Sequence, residues 1–279
     1  RSSDLPTSSA EALPTMGDYI FRSTPSTRYL AETLAEYAVK VAHKDKIAMC
    51  IDSDAQVSVS FQEDFTWAVY NYGGKIIPLD CDLAAADFSP TEIPSQAISK
   101  GADALFLAPS VRKVDRALEI ATVNDDRLTL LGNHSLNTYA TLKQGQNNVN
   151  GMVLTVPWYP DVKSSFTENA QKLWGGTVNW RTAMAYDATQ SLIAGIKANS
   201  SRQGIQQTLS QAGFSVTGAS GEVKFLPSGD RNLRGTLIKI QPGNKSGTSY
   251  DFVPLDENDL LSTKPNPAVS TTTTQSLSK

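Results

Sequence analysis

The sequence predicts an α/β fold in which a parallel sheet carries helices on both faces. Three observations carry this prediction. Short apolar runs recur at 46–52, 75–80, 104–108 and 128–132. Stretches of helical periodicity separate them, and glycines such as Gly73, Gly74 and Gly101 stand where those stretches stop. A β-α-β-α-β-α-β order over residues 46–132 implies parallel strands joined by right-handed crossovers.

The first helix follows Ser26, a suitable N-cap, with Pro25 just outside. Leu30, Leu34, Tyr37 and Val41 share one face. Lys40, His43 and Lys44 crowd its end, where cations suit the dipole. Residues 46–52 are apolar between polar flanks, as in a strand buried on both faces. The next helix has a stripe of Phe61, Phe65, Val69 and Tyr72. Residues 75–80 form a strand whose Pro78 argues for an edge. Helices at 93–100 and 111–123 flank strands at 104–108 and 128–132. A strand at 151–158 is expected to leave this domain. Helices are expected at 164–174, 180–198 and 201–212. Strands then follow at 221–225, 236–240 and about 250–253, with a turn at 227–230.

Composition excludes several functions. The chain has 279 residues, a net charge of −3, 40% hydrophobic and 19% charged residues. This is the profile of a soluble globular protein. No basic stripe points to nucleic acid or anionic membrane. No apolar run is long enough to span a bilayer. The N-terminus shows neither an initiator Met nor a signal core. Residues 259–279 are rich in Ser and Thr and read as a disordered tail. Cys50 and Cys81 read as buried free thiols. A disulfide is the other reading, disfavoured because directly paired strands rarely give the required Cβ geometry.

Catalytic signals are thin. The chain has two histidines, His43 and His134. It has no nucleophile elbow, P-loop or dinucleotide fingerprint. Asp52, Asp54, Asp80 and Asp82 lack companions spaced for a metal site. No catalytic residue, metal site or cofactor is expected. The carboxyl ends of the strands instead gather polar groups: Asp52 to Ser58, Asp80 to Asp82, Pro109-Ser110, and Asn133-His134-Ser135. Open α/β sheets bind ligands at that edge.

The segments Leu5-Pro6-Thr7-Ser8-Ser9 and Tyr19-Ile20-Phe21-Arg22-Ser23-Thr24-Pro25-Ser26 resemble the "SPTSS … YVFRTTPS" stretch of type I periplasmic binding proteins, which serve ABC transporters for branched-chain amino acids and related solutes. The likeness continues through Ile51-Asp52-Ser53-Asp54-Ala55, Gly101-Ala102-Asp103-Ala104-Leu105, Leu131-Gly132-Asn133 and Gly151-Met152-Val153. It ends in Ala185-Tyr186-Asp187-Ala188 and the hairpin from Gly221 to Asp230. It implies two Rossmann-like lobes with parallel central sheets and a hinge, closing on a solute like a trap.

The first β-α-β-α-β unit of the first lobe would precede Arg1, so that lobe is expected to be incomplete. Residues 1–43 and 152–235 are assigned to its remnant, and 44–151 with 236–258 to the second lobe. The resemblance implies that Thr7, Ser8 and Ser9 hold a carboxylate. It places Val57 where an aromatic residue covers the ligand. His134 stands where a carboxylate receives the ligand's ammonium, a poor substitute. Ser110, Asn133 and Ser135 complete the expected site.

The implied function is capture of a small polar solute, an amino acid, amide or organic acid, for a membrane ABC permease. The implied place is the periplasm or cell exterior, with a membrane anchor in the intact protein as a further option. A dimer through the exposed surface of the incomplete lobe is a further expectation. Two alternatives remain: a ligand-sensing ectodomain of a receptor or kinase, and a small α/β enzyme.

Overall fold

The computed structural model describes residues 3–4, 8–9, 16–160, 164–176 and 178–255. The tail at 259–279 lies outside them.

One seven-stranded sheet dominates. Its parallel part is β3 (Lys46–Ile51), β4 (Lys75–Ile77), β5 (Ala104–Ala108), β6 (Thr129–Gly132) and β7 (Val153–Val156). Two further strands, β10 (Thr236–Pro242) and β11 (Tyr250–Pro254), add antiparallel to β7. The order is β11-β10-β7-β6-β5-β3-β4. β4 is an edge strand and ends at Ile77, so Pro78 costs the ladder nothing.

Side-chain alternation splits the core between the two faces. Ala48, Cys50, Leu105, Leu107, Leu130 and Leu154 pack with Ala117, Leu118 and Ala121 of α4 (Val114–Asn124). Ala97 of α3 (Ile93–Ser99) and Leu142 of α5 (Tyr139–Gly145) join that face. Ile47, Met49, Phe106, Leu131 and Val153 face the other way. They meet Leu30 and Leu34 of α1 (Thr27–Glu36), and Phe61, Phe65 and Val69 of α2 (Gln56–Asn71). Phe65 stacks on Phe106 at 4.3 Å between centroids.

Expectations about the domain boundaries, the α1 stripe and the cysteines are corrected here. The strand at 153–156 does not leave the sheet: Leu131 pairs with Val153 and Gly132 with Leu154. The boundary expected after residue 151 therefore does not hold. The boundary after 43 fails for a similar reason. Leu30 and Leu34 are fully buried against the sheet, so α1 belongs with β3 to β7. Its stripe also changes register. A π turn at Tyr37–Val41 inserts a residue per turn, burying Ala38 and Val39 where Tyr37 and Val41 were expected.

The cysteines are the third correction. Cys50 and Cys81 form a disulfide, with Cα atoms 4.9 Å apart. β4 itself pairs only with Lys46 to Ala48. Beyond its end a parallel bridge sets Asp82 level with Ile51, and Leu83 donates its N–H to the Ile51 carbonyl, which brings Cys81 beside Cys50.

The remaining elements sit beyond the carboxyl edge of the sheet. They are α6 (Ser165–Trp174), α7 (Trp180–Ala198), α8 (Arg202–Leu209), and two short strand pairs. β1 (Ser3–Asp4) pairs parallel with β2 (Ile20–Phe21). β8 (Val216–Gly218) pairs antiparallel with β9 (Gly221–Val223). The hairpin thus closes at Ala219-Ser220, and its partner is not 236–240. Among the described residues this part has no large parallel sheet of its own.

Two chain segments linking these parts run side by side. Arg22 donates its backbone N–H to the Gly229 carbonyl at 2.9 Å. A side chain at position 229, where φ is +85°, would strike the Ile20 carbonyl. Buried ion pairs fix the junction. Arg22 meets Asp230 at 2.6 Å, and Arg231 meets Asp187 of α7 at 3.0 Å. Arg231 also donates to the Ser23 and Glu222 carbonyls.

Candidate functional site

The parallel strands end together, so the residues after them share one edge. Ile51 is level with Ala108, which sets Asp52 beside Pro109 and Ser110. Asn133 donates from Nδ2 to the Pro109 carbonyl, tying the end of β6 to that of β5. Its Oδ1 accepts from the Ser135 N–H and starts a short turn. Asn133 and Ser135 therefore shape the edge, and their bonds project the intervening His134.

His134 is 4% exposed and lies in an aromatic cage. Phe61 of α2 stands 6.2 Å from the ring, and Trp180, at the start of α7, stands edge-on at 5.2 Å. Ser9 Oγ is 3.4 Å from its Nε2, while Nδ1 has no partner among the described residues. Burial, aided by the charge of Arg181, pulls its pKa down from 6.5 to about 3. The ring is neutral at physiological pH. Arg181 lies over the Trp180 ring, its guanidinium carbon 4.3 Å from the centroid.

Other buried polar atoms on this edge are also unpartnered among the described residues. They are Ser110 Oγ, Ser58 Oγ in the first turn of α2, Trp180 Nε1 and Asp52 Oδ1. Leaving such a group unpaired costs about 1–3 kcal/mol. Several together mark a surface that a ligand's own groups would satisfy.

The expected residues divide accordingly. Ser9, Ser110 and His134 converge on this edge, with Asn133 and Ser135 as its scaffold. Thr7 lies outside the described residues, and Ser8 is exposed. Val57 is half-buried in the first turn of α2. The aromatic face against His134 comes from Phe61, one turn further on. Its place in the helix stripe made it read as core alone. Trp180 and Ser58 were missed: Trp180 read as the first residue of a helix, and Ser58 as part of a polar loop. His43 is exposed.

Two cavities lie elsewhere. One of about 220 Å³ is lined by Phe166, Trp174 and Tyr186 between α6 and α7. Another, of about 920 Å³, separates Gln56, Ser60 and Glu63 of α2 from Gln206 and Ser210. Neither includes the residues around His134.

A mostly parallel sheet, polar at its carboxyl edge and capped there by a second group of helices, defines a two-part α/β binding fold. The chain belongs to the periplasmic binding protein family, matching it over residues 3–238. The fold is of the Venus flytrap type, and membership implies an extracytoplasmic protein.

Solved structures agree. A leucine-binding protein from Thermotoga maritima superposes with a TM-score of 0.75 at 17% identity, covering 92% of this chain and 73% of that one. An ABC transporter substrate-binding protein from Sphaerobacter thermophilus gives 0.77 at 18%, covering 91% and 72%. A solute-binding protein from R. palustris, in complex with benzoate, gives 0.75 at 14%, covering 91% and 70%. These matches are solute-binding proteins and not enzymes. No curated protein matches the sequence. Nothing in the comparisons supports the expected dimer. Among the described residues no helix is long and apolar enough to cross a membrane.

Proposed function

We propose that this chain captures a small polar solute between two lobes and presents it to a membrane ABC permease. One lobe is the seven-stranded sheet with α1 to α5. The other is the group of α6 to α8 with the short strand pairs. The observation that carries the reading is the set of unpartnered buried groups at the carboxyl edge of the sheet: Ser58, Ser110, His134 and Trp180. They come from both parts of the molecule, as a closing cleft requires. The leucine-binding protein and the benzoate complex among the similar structures support a solute of this size.

An extracytoplasmic setting also suits the disulfide Cys50–Cys81, since such bonds persist in oxidising compartments.

A thermal-shift screen of the full-length protein against amino acids, amides, urea and organic acids tests the proposal. A ligand that binds the folded state raises the melting temperature by mass action. At least one solute should do so, with saturation. A panel without any shift would overturn the reading.

A further inference from the structure

We infer that the solute is a small carboxylate without an ammonium group, held against Trp180, Arg181 and His134. This rests on the solute-binding reading above and narrows it.

The argument begins with what each unpartnered group can do. An indole N–H only donates. Trp180 is 2% exposed, and its Nε1 has no partner among the described residues, so an acceptor on the ligand would satisfy it. Ser58 Oγ and Ser110 Oγ are further unpartnered hydroxyls at the carboxyl edge, each able to donate. At His134, Nε2 faces the Ser9 hydroxyl. When Nε2 accepts the Ser9 proton, Nδ1 carries the ring hydrogen and becomes another donor.

Charge points the same way. Arg181 is half-buried and forms no ion pair among the described residues. It stacks on Trp180, which is in contact with His134. Its positive field reaches the His134 ring. An anion placed here would meet a cation and several donors. An ammonium would meet a neutral ring and the repulsion of Arg181. The walls beside these donors are the flat rings of Phe61 and Trp180, which suit a compact apolar or aromatic body.

One group speaks for the opposite choice. Asp52 is 2% exposed, and its Oδ1 is unpartnered among the described residues. It lies at the end of β3, and no ring contact or hydrogen bond ties it to His134 or Trp180. The donors outnumber it, and two of them, Trp180 and His134, lie beside Arg181.

Calorimetry on the full-length protein with benzoate, isocaproate and leucine decides between these. Leucine is isocaproate with an added ammonium, so the pair isolates that group. Isocaproate should bind roughly a hundredfold or more tighter than leucine, because a buried ammonium would lack its partner. Trp180→Phe removes the N–H together with the five-membered ring. It should weaken benzoate about tenfold or more and, because it leaves a cavity, lower the ligand-free melt as well. Should that variant fail to fold, Arg181→Gln replaces it, with the same expected direction.

Leucine binding as tightly as isocaproate would overturn the inference and point to Asp52, with the solute-binding reading intact. No binding of any of the three, while an amino acid in the thermal screen still raises the melt, would overturn it in the same way. No binding here and no shift in the whole screen would overturn both.

Discussion

Ser9 Oγ lies 3.4 Å from His134 Nε2, although 125 residues separate them. The contact joins the segment before the first crossing to the end of β6, so it bridges the two parts of the molecule. The ring is neutral because it is buried beside the charge of Arg181.

That burial gives a pH signature. His134 titrates near 6.5 when unfolded and near 3 when folded. Above 6.5 the ring is neutral in both states and the fold bears no penalty. As the pH falls from 6.5 toward 3, the unfolded chain takes up a proton that the fold refuses. Stability should drop by up to about 1.4 kcal/mol per pH unit from this group. Urea denaturation at pH 7 and pH 5, compared between the parent and His134→Gln, reads this directly. The variant should lose part of the slope.

Reducing Cys50–Cys81 should destabilise the protein by about 3–4 kcal/mol, given a sequence separation of 31. Thermal melts with and without dithiothreitol measure it. Cys50→Ala with Cys81→Ala should melt like the reduced protein and show no response to reductant.

Asp187 sits at the centre of the junction. It is fully buried and accepts from Arg231, the Ala219 N–H and the Ser220 hydroxyl. Asp187→Ala should cost about 3–5 kcal/mol, because Arg231 would be left buried without its partner. Chemical denaturation of the variant checks this. A change below 1 kcal/mol would show that water replaces the carboxylate.

Phe65 stacks on Phe106 and is fully buried between α2 and the sheet. Phe65→Ala should cost about 3–5 kcal/mol. The same denaturation assay reads it, and solute affinity should follow stability only where the fold begins to fail.

Much of the fold was legible locally. The strand at Ala104–Ala108 and the helix at Trp180–Ala198 stand where the apolar run and the periodicity placed them. What failed depended on distant partners. The short run Val153-Leu154-Thr155-Val156 reads alike in either lobe, and only the register of Val153 with Leu131 shows which sheet it joins. The face of α1 was clear, but no local signal marks the π turn that rotates Ala38 and Val39 inward. The disulfide turned on the parallel bridge that resumes at Asp82 beyond β4, which composition does not reveal.

The site was legible in part for the same reason. Strand ends converge by topology, so Ser110 and His134 could be named from the β-α alternation. Trp180 and Phe61 could not. Trp180 reaches His134 only through the packing of a different part of the chain. Phe61 serves both the core and the cage, and its helix stripe announced the first role alone.

The most direct test is whether solute binding depends on this edge. The strongest hit from the thermal screen is titrated by calorimetry into the full-length protein, into Ser110→Ala and into His134→Leu. One solute per chain is expected for the parent, with binding about tenfold weaker or lost in each variant. Unchanged affinity in both variants, each with a melt like the parent's, would place the solute elsewhere and contradict the account.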